Sequence, residues 1–107
     1  MQQIPVSDVD AIGEGEIRAV ETDVHRLILV RNGGRLFCVE NRCGHFGVPL
    51  VKGKIEDDAI HCPMHGISFS LESGEVVNRP WENCNAIRVF PVEEEGGNAT
   101  IQFTETL

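Results

Sequence analysis

Short apolar runs recur along the whole chain and predict β-strands. Residues 27–30 read Leu-Ile-Leu-Val, a run that is too short for a helix and rich in strand-forming side chains. Asn32-Gly33-Gly34 follows, and these residues tolerate the positive φ angles of a tight hairpin turn. Residues 35–40 then form the returning strand. Its alternation places two sets of side chains on opposite faces: Leu36, Cys38 and Glu40 on one, Phe37 and Val39 on the other.

Further strands are predicted at short, regular spacing on both sides of this hairpin. They cover residues 2–7, 16–21, 67–71, 75–77, 86–93 and 100–104, and residues 54–61 are predicted to form another hairpin that turns at Asp57-Asp58. A single helical turn is predicted at residues 7–10, and Glu93-Glu94-Glu95 with the following glycines predicts a charged turn. Since the chain shows almost no helical period, the fold class is all-β, a sandwich or a barrel.

Length and charge narrow the class of protein further. A chain of 107 residues is one domain by size. The net charge of −8 disfavours nucleic acid as a partner, because phosphate binding requires basic residues, and it favours a basic protein surface. No apolar run is long enough to cross a membrane, and residues 1–10 lack the features of a signal peptide. We therefore expect a cytoplasmic protein with no membrane partner.

Two short Cys/His pairs carry the candidate chemistry. Cys43 and His45 are separated by one residue, and Cys62 and His65 by two. Thiolate sulfur and neutral imidazole nitrogen both bind iron and zinc well. Zinc fingers usually keep Cys with Cys and His with His, whereas mixed pairs match the [2Fe–2S] centre in which two His replace two Cys on one iron. An iron–sulfur cluster is the favoured interpretation, and a structural zinc site remains the alternative.

The residues around these pairs resemble those of a known family. Gly and Pro lie beside the ligands in Cys43-Gly44-His45 and Cys62-Pro63-Met64-His65-Gly66, and the match continues through residues 46–50, 52–54 and 71–74. The chain is similar to the small soluble Rieske ferredoxins that serve ring-hydroxylating oxygenases. This resemblance implies a Rieske-type antiparallel β-sandwich or barrel, with residues 1–107 as a single domain. It also implies a small cluster-binding β subdomain, residues 41–76, inserted in the β base.

The resemblance also implies ligands and a function. Cys43 and Cys62 would hold one iron of a [2Fe–2S] cluster, and His45 and His65 the other. The chain would be a monomeric one-electron carrier and not an enzyme, passing electrons from a flavoprotein reductase to a terminal oxygenase of the dioxygenase type. The alternative is a Rieske-like small subunit of a larger oxidoreductase such as a nitrite reductase. Pro80 is the candidate for the proline loop that covers the cluster, and Trp81 for shielding it or docking a partner.

The remaining histidines and cysteines receive structural interpretations. His61 precedes Cys62 in a strand and should point away from it, so we do not expect it to be a ligand. We expect His25 to be solvated. Cys38 and Cys84 should be small apolar core residues without a disulfide, as is usual in a reducing compartment.

Four departures from the respiratory and photosynthetic Rieske proteins indicate the subtype. Val48 and Met64 occupy the places of two cysteines that form a disulfide in those proteins. Ile67 and Phe69 occupy the places of the Ser and Tyr that donate hydrogen bonds to the cluster. The sequence therefore predicts a low-potential ferredoxin.

Overall fold

The computed structural model describes residues 2–22, 25–43, 49–63, 66–77 and 86–103. Seven positions to which the sequence analysis gave a role lie outside the described residues: His45, Val48, Met64, His65, Pro80, Trp81 and Cys84.

Ten strands and one short 3-10 helix at Val9–Ala11 make up the regular structure of the described residues. The strands are β1 (Gln2–Val6), β2 (Ile17–Glu21), β3 (Arg26–Asn32), β4 (Arg35–Glu40), β5 (Lys54–Glu56), β6 (Ala59–His61), β7 (Ser68–Ser70), β8 (Val89–Phe90), β9 (Val92–Glu95) and β10 (Asn98–Phe103). The all-β class is confirmed. In the part of the chain that is described, no helix has the length and apolar character needed to cross a membrane.

These strands form three antiparallel sheets. The central sheet has the order β2-β3-β4-β8, the base sheet β1-β10-β9, and the small sheet β5-β6-β7. The small sheet lies in the sequence between β4 and β8, which pair directly with each other through Cys38↔Phe90 and Val39↔Val89. The segment between β4 and β8 therefore leaves the central sheet, forms a sheet of its own, and returns.

Both faces of the central sheet are buried. In β3, Leu27 and Leu29 pack on one face, and Ile28 and Val30 on the other. A strand covered on both faces has no solvent-facing positions, which explains why its apolar run is uninterrupted. The two faces of β4 divide as predicted, with Leu36 and Cys38 on one side and Val39 on the other.

Two apolar cores result, one on each face. The base core lies between the central and base sheets and contains Val9, Ile12, Leu27, Leu29, Leu36, Cys38, Ala99 and Ile101. The site core lies between the central and small sheets and contains Ile28, Val30, Val39, Cys43, Leu50, Ile60, Cys62, Ile67, Phe69, Leu71 and Ile87.

The single strand predicted for residues 86–93 is wrong, because the chain changes sheets at Pro91. β8 pairs with the central sheet, and β9 pairs with β10 in the base sheet. Proline has no N–H to donate, so a sheet ladder cannot continue through it on that side. Glu93, Glu94 and Glu95 belong to β9 and not to a turn, and the turn itself is formed by the two glycines that follow.

Cys38 is a core residue, as predicted. Its side chain is 1% exposed and forms no disulfide. Burial raises the pKa of its thiol to about 12, because the thiolate would lose its hydration in this apolar position. The thiol is therefore protonated and unreactive at neutral pH.

Candidate metal centre

The first loop, residues 42–49, begins one residue after the end of β4 and carries Cys43. The residues that flank this loop, which we call its neck, are joined by one side chain. Asn41 Oδ1 accepts hydrogen bonds from the backbone N–H of Leu50 at 2.7 Å and of Val51 at 3.0 Å. Cys43 and Leu50 are both buried in the site core. The two ends of the loop are thus held together at a fixed distance from the central sheet.

The second loop, residues 62–67, begins immediately after β6 and carries Cys62. Here the backbone closes the neck, since the N–H of Cys62 donates to the carbonyl oxygen of Ile67 at 2.7 Å. Cys62 is 4% exposed and Ile67 is fully buried, and both belong to the site core. His65 lies in this loop by sequence.

The small sheet brings the two loops to the same end. Lys54 pairs with His61 and His61 with Ser68, so the strand that follows the first loop lies beside both ends of the second loop. A Cβ atom at position 53 would overlap the carbonyl oxygen of His61. Gly53 is therefore required for the close approach of these two segments.

A third segment is attached beside the second loop. The N–H of Val77 donates to the carbonyl oxygen of Ser68 at 2.9 Å, and the N–H of Ile87 donates to the carbonyl oxygen of Gly74 at 2.9 Å. Gly74 has φ +78°, and a Cβ there would overlap the carbonyl oxygen of Ile87. Of the described residues that flank 78–85, the segment that contains Pro80, Val77 is therefore anchored to β7 and Ile87 to the turn that follows β7.

The residues present fit a two-iron cluster with mixed ligands. The two cysteines are buried in one core, and each starts a loop that also contains one histidine of the motif. Among the described residues alone, no group of three or more His, Cys, Asp or Glu is placed to hold a metal ion. The structure therefore gives the positions of Cys43 and Cys62, whereas His45 and His65 are assigned as ligands from the sequence motif alone.

His61 is engaged away from this centre. Its Nδ1 is hydrogen-bonded to the hydroxyl of the buried Ser68, and its Nε2 lies 3.7 Å from Glu56 Oε1, too far for a hydrogen bond. These contacts support the prediction that His61 is not a ligand. His25 is half-buried rather than solvated, and its backbone exchanges hydrogen bonds with Thr22.

Sequence reasoning missed the function of Asn41. The residue marks the start of the metal segment, and Asn side chains commonly bond to nearby backbone groups. Its partners, Leu50 and Val51, are nine and ten residues away. Because that spacing is not local, the sequence could not identify them.

A family model for the Rieske [2Fe–2S] domain matches residues 2–91. The chain belongs to the Rieske [2Fe–2S] family. Its cofactor is a [2Fe–2S] cluster, which confirms the favoured interpretation over a zinc site.

The relatives of this Rieske protein include a ferredoxin of its own size and a much longer protein. It is 35% identical over 103 residues to the 3-phenylpropionate/cinnamic acid dioxygenase ferredoxin subunit of Escherichia coli strain K12, covering 94% of this chain and 91% of that one. It is 30% identical over 97 residues to apoptosis-inducing factor 3 of Mus musculus, covering 91% of this chain but 16% of that protein.

Solved structures confirm the Rieske ferredoxin fold. The Sphingomonas yanoikuyae B1 ferredoxin superposes with a TM-score of 0.84 at 27% identity, covering 95% of this chain and 99% of that chain. One chain from the complex of reduced oxygenase and oxidized ferredoxin in carbazole 1,9a-dioxygenase superposes with a TM-score of 0.83 at 27% identity, covering 92% and 100%.

Replacing Asn41 by Ala should accelerate loss of the cluster. The substitution removes the acceptor of two backbone N–H groups, and each buried donor left without a partner costs about 1–3 kcal/mol. Loosening of the loop neck should then expose the centre. The measurement is the temperature at which the visible absorption of the holoprotein is lost.

Two variants serve as controls for this effect. Asn41→Asp retains an oxygen acceptor at the same place and should preserve most of the thermal resistance. Asn32→Ala removes an exposed hydrogen bond to Asp58 Oδ1 and should change little. Equal losses in Asn41→Ala and Asn32→Ala would contradict a special function of the loop neck.

Proposed function

We propose that this protein is a one-electron carrier, the ferredoxin component of a dioxygenase system, which takes electrons from a flavin-dependent reductase and delivers them to a terminal oxygenase. The observation that carries this proposal is the match over nearly the full length of both chains to a dioxygenase ferredoxin subunit. Structures of ferredoxin–oxygenase complexes in carbazole 1,9a-dioxygenase support it. The ferredoxin subunits among the relatives are electron-transfer components and not the catalytic subunits, and we assign the same activity here.

When bound, the [2Fe–2S] cluster supplies reversible one-electron redox chemistry. The chain's own residues bind and shield it. The site core excludes water from the cysteine side, because Leu50, Ile60, Ile67 and Phe69 are fully buried around Cys43 and Cys62. Electron exchange would then occur from the side that this core does not cover.

The ligands we propose are Cys43 and Cys62 on one iron and His45 and His65 on the other. The burial of both cysteines at the base of two closed loops supports this assignment. The two histidines follow in the same loops by sequence. Neutral imidazole leaves the iron it binds less electron-rich than thiolate does, so we expect this iron to receive the electron.

We further propose that residues 1–107 form a single, monomeric domain in which residues 41–76 are an inserted cluster-binding subdomain. The site core supports this, because it joins β3 and β4 of the central sheet to the small sheet in one buried cluster. The cytoplasm is the compartment we propose, since the unpaired thiol of Cys38 is typical of a reducing environment.

Replacing any one of Cys43, His45, Cys62 or His65 by Ala should abolish the red-brown visible spectrum and lower the thermal stability, because the ligand loops depend on the metal. His61→Ala is the matched control, since it removes a histidine next to Cys62 and should leave the spectrum intact. A folded but colourless His61→Ala protein would contradict the ligand assignment.

Electron delivery is the direct test of the function. Purified holoprotein should be reduced by an NADH-dependent flavoprotein reductase and reoxidised by a terminal oxygenase, both followed by stopped-flow absorbance. It should also elute alone from a sizing column as a stable monomer. Instability in isolation, or elution only with a larger oxidoreductase, would favour the small-subunit alternative.

The midpoint potential should lie near the lower end of the Rieske range, at roughly −150 mV and far from +300 mV. Hydrogen bonds to cluster sulfur raise the potential. Ile67 and Phe69 are buried in the site core without a hydroxyl, while the hydroxyl of Ser68 between them is bonded to His61. Voltammetry between about pH 6 and 8 should also give a nearly constant value, because the ligand imidazoles stay protonated on their outer nitrogens.

Phe69→Tyr should raise this midpoint by placing a hydroxyl in the site core. Phe90→Tyr is the matched control, since Phe90 packs against the base core on the other face of the central sheet. A parent midpoint well above 0 mV would overturn the low-potential assignment while leaving the cluster assignment intact.

A further inference from the structure

A basic cleft lies beside the first loop, on a chain whose net charge is −8. It has a volume of about 210 Å³, and its lining includes Arg26, Arg42 and Arg88 together with Glu40 and Phe90. Three of the nine basic residues of the chain thus meet next to Cys43. The redox centre and this concentration of positive charge occupy the same end of the central sheet.

The sheet register holds these arginines together. The backbone N–H of Asn41 donates to the backbone carbonyl oxygen of Arg26 at 3.0 Å. The backbone N–H of Glu40 donates to the carbonyl oxygen of Arg88 at 2.9 Å. Glu40 Oε1 in turn accepts the backbone N–H of Arg88 at 3.0 Å. Arg42 is the residue immediately before Cys43. The three arginines therefore lie on segments that are tied to one another at the neck of the first loop.

Glu40 does not neutralise the cleft. Among the described residues it is the single carboxylate in the lining, and Glu21 lies beside the cleft as the cross-strand partner of Arg26. Three guanidinium groups thus meet two described carboxylates at this end. Glu40 Oε2 lies 4.0 Å from Arg42, and the Arg42 side chain is 67% exposed. The guanidinium of Arg88 lies over the ring of Phe90, 5.1 Å from its centroid, which limits the directions that it can take.

Other acidic residues lie at the opposite end of the central sheet. At the β3–β4 turn, Glu14 accepts the N–H groups of Gly33 and Gly34, and Asp58 accepts from the side chain of Asn32. β3 runs from Arg26 to Asn32, so about 20 Å separates the two ends of the sheet at 3.3–3.4 Å per residue. That distance exceeds the screening length of about 8 Å at physiological ionic strength.

A partner at the end of the central sheet next to the first loop therefore experiences the local charge and not the net charge. The ligand-loop residues 44–48 and 64–65 contain no charged side chain, and the exposed Lys52 and Lys54 follow the first loop. The net charge of −8 alone predicts a basic partner surface. The position of the cleft favours an acidic partner surface at close range.

We propose that the basic cleft of Arg26, Arg42 and Arg88 docks a carboxylate-bearing surface of a protein that exchanges electrons with this ferredoxin. Arginine forks bind carboxylates with two parallel hydrogen bonds, which would fix the orientation of the partner next to the first loop. This inference rests on the proposed carrier function, because it places the partner where the electron leaves.

The local field can be measured with small redox ions. One electron passes from the reduced holoprotein to ferricyanide, giving ferrocyanide, or to hexaammineruthenium(III), giving hexaammineruthenium(II). A positive exchange site should make the ferricyanide rate fall with rising salt and the ruthenium rate rise. A hexaglutamate peptide should slow the reaction with ferricyanide by competing for the cleft.

Arg42→Glu and Arg88→Glu should each lower the ferricyanide rate at low salt by about tenfold and remove the peptide competition. Arg35→Glu is the matched control. It makes the same change in net charge, and Arg35 also lies over a phenylalanine ring, 4.9 Å from the centroid of Phe37, but it is at the far end of the sheet. This variant should keep the parent behaviour.

Two results would overturn the proposal. One is a parent protein that reacts faster with the cationic ion and loses that preference as salt rises, with all three variants alike. The other is ferricyanide preference without peptide competition. The carrier function is tested separately: a protein with the expected ion preferences that delivers no electron to an oxygenase would contradict that function and not the charge of the cleft.

Discussion

The closing of two loops by hydrogen bonds is the constraint on which the redox end of this molecule depends. A single amide oxygen, that of Asn41, holds the far end of the first loop through two backbone N–H groups. The backbone of Cys62 and Ile67 does the same for the second. Because each cysteine lies at the start of its loop and is buried, these contacts set where the sulfur atoms can be. The small sheet then brings the two loops to one end.

The central sheet supports this arrangement by being buried on both faces. Its site face packs against the small sheet, and its base face against β1, β9 and β10. The chain connects the two cores at Pro91, where it passes from the central sheet to the base sheet. The redox end is therefore an extension of a continuous hydrophobic interior, which accounts for the burial of both cysteines in an apolar cluster.

Charge is distributed unevenly over this frame. Acidic side chains accept hydrogen bonds at the β3–β4 turn, and Arg31 pairs with Glu94 at 2.8 Å near the same end. The arginines of the basic cleft lie at the other end, beside the first loop. The net charge of −8 belongs to the molecule as a whole, whereas the described lining of the basic cleft contains more arginines than carboxylates. The docking proposed at this end therefore depends on local residues and not on the net charge.

The sequence by itself determined the class of the fold and the nature of the cofactor. Apolar alternation and glycine turns are local signals, so the β3–β4 hairpin and its two faces could be predicted. The spacing of Cys43, His45, Cys62 and His65 is also local within each pair, and it sufficed to favour a mixed-ligand iron–sulfur cluster. Only the tertiary structure decided three other features: the change of sheet at Pro91, the closing of the first loop by Asn41, and the meeting of Arg26, Arg42 and Arg88. Each depends on contacts between residues distant in the chain, and neither periodicity nor motif spacing contains that information.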